Sequence, residues 1–208
     1  MSDSKDTKST RDKILEAALE LFSQKGYLGA TTKEIARASG IAEVTLFRHF
    51  PSKENLFENV IVTRSFLPAL KDLLPEVEGM PYEMALNVIA KRFLETLSSK
   101  KNLIQIMHSE MHRYPEKIHM IHNSIIDDVI KTLASYFEKL KTKGLLKDFN
   151  SELGARAFLG MFFSYFTGQE LKKRKKYKGD DTEMTIREYV NIFVNGTLKP
   201  VSRQERMS

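Results

Sequence analysis

An all-α fold is predicted by three features of this sequence. Apolar residues recur at three- and four-residue spacing along the chain, the period of a helix with one buried face. Ser and Thr residues precede several of those stretches at N-cap spacing, and Gly, Pro and Asn interrupt them. No stretch of convincing alternation marks a strand, and no repeat of about 20–50 residues points to a solenoid.

The elements follow in order. Ile14, Ala18, Leu21 and Phe22 fall on one face of a helix over Arg11–Lys25, started by Ser9 with Asp12 and stopped by Gly26. Thr31-Thr32-Lys33-Glu34 opens a helix of barely two turns that ends at Gly40. A second short helix is expected over Glu43–His49. Pro51 breaks the chain, and Ser52 caps a longer helix through Leu56, Val60 and Phe66. Pro68, Pro75, Gly79 and Pro81 then read as a punctuated change of character. Further helices are expected at 82–99, 102–112, 117–142, 151–171 and 182–197. The expected organisation is a tail at 1–9, a helix-turn-helix unit at 10–56, a larger helical domain at 57–198, and a tail at 199–208.

Composition removes several function classes. With 208 residues there is enough chain for a core, and zero Cys excludes disulfides, thiol nucleophiles and thiolate metal sites. No apolar secretory core opens the chain and no run approaches the roughly 20 residues of a membrane helix, so a soluble cytoplasmic protein is expected. No glycine-rich phosphate loop, nucleophile elbow or convergent acid–base set argues for an enzyme, and no cofactor is implied. The net charge of +6 suggests nucleic acid, but its placement does not. Residues 1–60 hold nine cations and nine anions, and the run Lys172-Lys173-Arg174-Lys175-Lys176-Tyr177-Lys178 supplies the excess.

The case for DNA rests on placed residues. Ile35, Ile41, Leu46 and Phe50 are spaced to lock two short helices onto the first, around a turn at Gly40. That leaves Glu43, Val44, Thr45, Phe47, Arg48 and His49 on the outer surface of the second, as groups suited to phosphates and base edges. The stretch from Thr31 to Ala36, then Gly40-Ile41, then Thr45-Leu46-Phe47-Arg48-His49-Phe50-Pro51-Ser52-Lys53-Glu54-Asn55-Leu56 resembles the N-terminal domain of TetR/AcrR-type bacterial transcriptional regulators. The likeness covers roughly residues 10–60.

The resemblance implies a ligand-responsive, sequence-specific DNA-binding regulator, a repressor released from a palindromic operator on double-stranded DNA. It assigns Thr31, Thr32 and Lys33 to phosphate or guanine contact, and Glu43, Val44 and Thr45 to base edges. Phe47 stands where family members usually carry Tyr, so packing against sugar-phosphate is expected there. Arg48 and His49 suit the backbone, and Lys53 a phosphate clamp. Ala42 replaces a common Ser cap, and Glu43 replaces a frequent Lys; a carboxylate there suits cytosine N4, and Val44 a thymine methyl.

Downstream, Ala157, Gly160, Ser164 and Gly168 form a stripe of small residues that admits a close partner helix. Together with Ile186, Tyr189, Val190 and Phe193 it is expected to form the homodimer interface that the resemblance implies, the competing expectation being packing within one subunit. A small apolar or amphipathic effector is expected among Phe93, Met107, His108, Met111, Phe162, Tyr165 and Phe166, residues that also suit plain core. His108/His112 and His119/His122 are spaced to share helix faces, which raises metal sensing as an alternative. A helical adaptor that has lost DNA binding is another. The conformational hinge is expected at Arg64–Pro68.

Overall fold

The computed structural model describes residues 9–171 and 182–200, the side chains of residues 170 and 171 excepted. Among these residues the chain is helical, with an isolated bridge between Leu146 and Leu198. The basic run at 172–178 and most of both expected tails lie outside the described residues. The described residues divide into two compact units, one of residues 9–65 and 100–125, the other of residues 66–99, 126–171 and 182–200. The first unit therefore extends past the expected boundary at 56 and takes in a later segment that sequence spacing had placed in the larger domain.

The first unit begins with α1 (Thr10–Gly29), followed by α2 (Thr32–Ala38), α3 (Glu43–His49) and α4 (Lys53–Arg64). The regular part of α1 breaks at Gly26, whose φ of 70° is accessible to glycine at little cost. A Cβ at that position would meet the Glu110 carboxylate, the end of a flexible side chain that must turn aside, so the backbone angle is the stronger reason for glycine. Three of the expected caps are present: Ser9 Oγ accepts from Asp12 N at 3.1 Å, Thr31 Oγ1 from Glu34 N at 3.2 Å, and Ser52 Oγ from Asn55 N at 3.1 Å. At α3 the N-cap Ala42 supplies no side-chain hydrogen bond, as its residue type dictates. The later segment of this unit holds α7 (Lys101–Glu110), a 3-10 turn (Met111–Arg113) and α8 (Glu116–Thr142) as far as Ile125.

α1 packs on α2, α4 and α7, and α2 on α3. Ile14, Ala18, Phe22, Ile35, Leu46, Leu56 and Phe57 are fully covered, and Phe50 almost so. Each large apolar side chain buried this way contributes roughly 1.5–3 kcal/mol before entropy. The Phe22 and Phe57 rings meet edge to face at 5.1 Å, and Tyr27 meets Phe57 at 5.1 Å. Ile41 is partly buried against the same core.

The second unit holds α5 (Phe66–Val77), α6 (Tyr82–Ser99), the rest of α8, α9 (Ser151–Phe166) with a π turn (Thr167–Leu171), and α10 (Thr182–Thr197). α5 departs from the expected punctuated region. Pro68 falls in its first turn, where no amide donor is needed, while Pro75 sits inside the helix. Burial of Phe66, Leu67, Leu70, Leu73 and Val77 along one face offsets that local cost. The expected single helix through Phe66 is instead two helices parted at Ser65. α6 packs on α5, α9 and α10. Phe158 joins Phe162 and Phe193, each at 5.1 Å, and Tyr82 Oη lies 3.1 Å from Thr197 Oγ1 in the interior.

Candidate nucleic-acid interface

α2 and α3 form a helix-turn-helix whose core side holds Ile35, Ala36 and Leu46. The turn passes through Gly40, at φ 73°, and Ile41 N donates to Ala36 O at 3.0 Å. With Leu46 pinned inside, the seven-residue α3 turns the opposite residues outward. Val44 is 62% exposed and Phe47 42%, so the outer face of α3 offers apolar as well as charged contact. Arg48 and His49 are exposed at the end of the same helix, and Thr45 is half-buried.

The front of α2 is held by reciprocal bonds. Thr31 N donates to Glu34 Oε2 at 3.1 Å, and the Thr31 hydroxyl donates to the same oxygen at 2.9 Å. Lys25 Nζ reaches Glu34 Oε1 at 2.7 Å. That lysine hydrogen bond, with those from Thr31, holds the Glu34 carboxyl down to about 2. The Thr32 hydroxyl donates to Glu43 Oε1 at 2.6 Å. Both threonine hydroxyl protons, expected to face phosphate, are thus committed inside the motif in the free protein. Lys33 is exposed beside them.

Lys53 opens α4 and lies half-buried with Nζ 4.4 Å from the Tyr27 ring centroid. Burial pulls its pKa down, and the neighbouring Glu54 charge opposes that shift. The Tyr27 hydroxyl donates to Glu54 Oε1 at 2.8 Å, and Tyr27 N donates to the Tyr114 hydroxyl at 3.2 Å. Tyr114 in turn lies 3.4 Å from Glu110 Oε2. Sequence reasoning missed Tyr27, Glu110, Tyr114 and Arg11, whose guanidinium stacks 5.1 Å from the Phe50 ring centroid and hydrogen-bonds Asn59. An aromatic directly after the Gly26 break was the available signal for Tyr27.

The expected effector residues fall into different units. Met107 is buried in the core of the first unit, Met111 packs against it, and His108 is exposed. In the second unit Phe93 packs on Phe66 at 4.9 Å, and Phe162 meets Tyr189 at 5.6 Å. Phe166 is buried, and the half-buried Tyr165 places its hydroxyl 3.3 Å from Thr182 Oγ1. His108 lies on α7 while His112 lies on the 3-10 turn, so their four-residue spacing is not that of one regular α-helix. Among the described residues no group of three or more His, Asp or Glu is placed to hold a metal. No helix among them is long and apolar enough to cross a membrane.

Ala157, Gly160 and Ser164 form an exposed strip on α9, and Gly168, on the following π turn, is half-buried. On α10 the subunit itself covers Ile186, Val190 and Phe193 and half-covers Tyr189; Met184 and Ile192 face outward.

Comparison with known proteins agrees with this geometry. Residues 14–60 match the family of bacterial regulatory proteins, tetR family, and residues 84–196 match the AefR-like transcriptional repressor, C-terminal domain. The chain is 31% identical over 157 residues to the HTH-type transcriptional regulator YvkB of Bacillus subtilis (strain 168), spanning 76% of this chain and 81% of that one. It is 28% identical over 156 residues to the regulator UidR of Escherichia coli (strain K12), spanning 74% and 78%. A TetR-family regulator from Mesorhizobium loti shares the fold with a TM-score of 0.73 at 23% identity, over 91% of this chain and 97% of that one. A helix-turn-helix with an uncovered second helix, joined to a matching C-terminal domain, places the chain in the TetR family of bacterial transcriptional regulators.

Proposed function

We propose that this chain is a cytoplasmic homodimeric repressor that binds a palindromic operator in double-stranded DNA and leaves it when a small effector binds. The observation that carries the reading is the uncovered face of α3. Val44, Phe47, Arg48 and His49 stand outside a motif whose core is closed and whose front is fixed by Thr31, Thr32, Glu34 and Glu43. Val44 and Thr45 with Glu43 read base edges, and Thr31, Thr32, Lys33, Phe47, Arg48, His49 and Lys53 meet the backbone. A dimer sets two such helices in successive major grooves about one helical turn apart.

The second copy is proposed to cover the outer strip of α9 and the outer face of α10. The strip is small enough for close helix approach, and Phe163 beside it and Ile192 on α10 are exposed apolar residues that association would bury. An effector acts by preferring a dimer with the wrong spacing of its α3 helices. A shift from 1:99 to 99:1 requires about 5.5 kcal/mol of differential binding.

The test is selection of bound DNA from a random pool, followed by gel shift at moderate salt. The expected outcome is a two-fold symmetric consensus. Sequence-independent binding alone would overturn the reading.

A further inference from the structure

The second unit contains a cavity of about 450 Å³ between the later half of α5, the end of α8 and the segment that follows each. None of the seven residues expected to line an effector pocket borders it. Its volume falls within the usual range for small-molecule sites. Leu74, Met80, Leu140 and Leu145 give it an apolar wall. Lys71, Lys139 and Lys143 stand on its border with one acid, Glu78, which lies 3.8 Å from Lys143. Lys71 and Lys139 are exposed and form no ion pair with another described residue, so two unpaired cations stand beside apolar surface.

Tyr136 provides an independent observation. It borders the cavity with its ring largely covered, while its hydroxyl hydrogen-bonds no other described residue and is not sealed from solvent. A ligand that displaces water from this hydroxyl must offer an acceptor in its place or forfeit that hydrogen bond. Burial, reinforced by the Glu78 charge, pushes this phenol up, so it stays protonated and available as a donor. The Thr132 and Ser135 hydroxyls on the same border give their protons to the Asp128 and Lys131 carbonyls, which leaves Tyr136 as the neutral hydroxyl donor of the wall.

We propose that this cavity binds a small anionic amphiphile, with its acyl or alkyl body on Leu74, Met80, Leu140 and Leu145 and its carboxylate between Lys71, Lys139 and the Tyr136 hydroxyl. Unpaired lysines select the anion, and the apolar wall selects a chain of limited length. A purely apolar ligand leaves Tyr136 without a partner, and a cation meets like charge. The site stands on the residues of the second unit alone and does not depend on the operator reading.

The experiment is calorimetric titration of the full chain with decanoate, held below its micelle concentration, and in parallel with 1-decanol. Saturable binding of one decanoate per chain is expected, with 1-decanol weaker by about ten-fold. Tyr136→Phe should weaken decanoate by roughly three- to ten-fold, and Lys139→Glu should weaken it further while leaving the alcohol unchanged. Both positions border an open cavity, and circular dichroism of each variant checks that it is folded. Absence of saturable decanoate binding, equal affinity for the alcohol, or variants that bind decanoate like the parent would each overturn the proposal. Gel shift of the same variants on a selected operator, without decanoate, is expected to be unchanged. Failure of the ligand site and failure of the DNA reading are therefore scored separately.

Discussion

The Thr32 hydroxyl donates a 2.6 Å hydrogen bond to Glu43 Oε1, so the first residue of α2 holds the first residue of α3. This bond takes up one carboxylate oxygen and fixes the direction of the other. It also gives the uncapped start of α3 a side-chain restraint that Ala42 does not supply. Thr32→Val should free Glu43 and weaken operator binding by about five-fold, on the order of 1 kcal/mol for a partly exposed bond to a charged group. The selected consensus should lose definition at the position facing Glu43. Equal affinity and an unchanged consensus would show that the bond has no part in recognition.

Lys53 has two alternative seats. In the free protein it lies over Tyr27, a cation–π contact of about 0.5–1 kcal/mol, and on DNA it is proposed to clamp a phosphate. Lys53→Ala should weaken binding to all sequences about equally and reduce the salt slope by about one. An effect confined to one sequence would contradict the phosphate assignment.

Glu34 carries a pH signature. Its carboxyl is held down to about 2 from an ordinary 4.5, first by Lys25 and then by Thr31. Because the folded pKa is the lower one, its contribution is complete above 4.5 and is lost as pH falls toward 2. Glu34→Gln should melt below the parent at pH 7, and the gap should close across that window. A gap that persists at pH 2 would argue against the ion pair and cap as its source.

Gly26 is a backbone requirement of the first unit. Gly26→Ala must place a side chain at φ 70° and push the Glu110 carboxylate aside, disturbing its approach to Tyr114. A loss of roughly 1–3 kcal/mol in chemical denaturation is expected. Parent-like stability would mean that the break in α1 relaxes without cost.

Gly160 separates folding from association. A Cβ there meets nothing within 4 Å in the subunit, so Gly160→Arg should keep the helical content and thermal transition. In sedimentation it should shift the chain toward monomer and abolish operator binding with it. A variant that remains dimeric would move the interface elsewhere.

The sequence by itself determined what is local. The caps at Ser9, Thr31 and Ser52 act within three residues, so residue type and spacing reveal them directly; Asn150 was legible only as a break, and the structure shows it to be a cap as well. The ends of α6 and α10 and the helix-turn-helix were legible for the same reason, since helical period and glycine stops act within a turn or two. Tertiary structure decided the relationships that span the chain. Tyr27 meets Tyr114 across 87 positions, and α7 joins α1 rather than staying with the later helices. It also decided that Pro75 is tolerated inside α5, because an apolar face had somewhere to be buried. Periodicity marks Ile186, Val190 and Phe193 as one apolar face, but only packing shows that the subunit itself covers it. An apolar face has the same pattern whether its own chain or a second copy buries it, and competition among distant surfaces makes that choice.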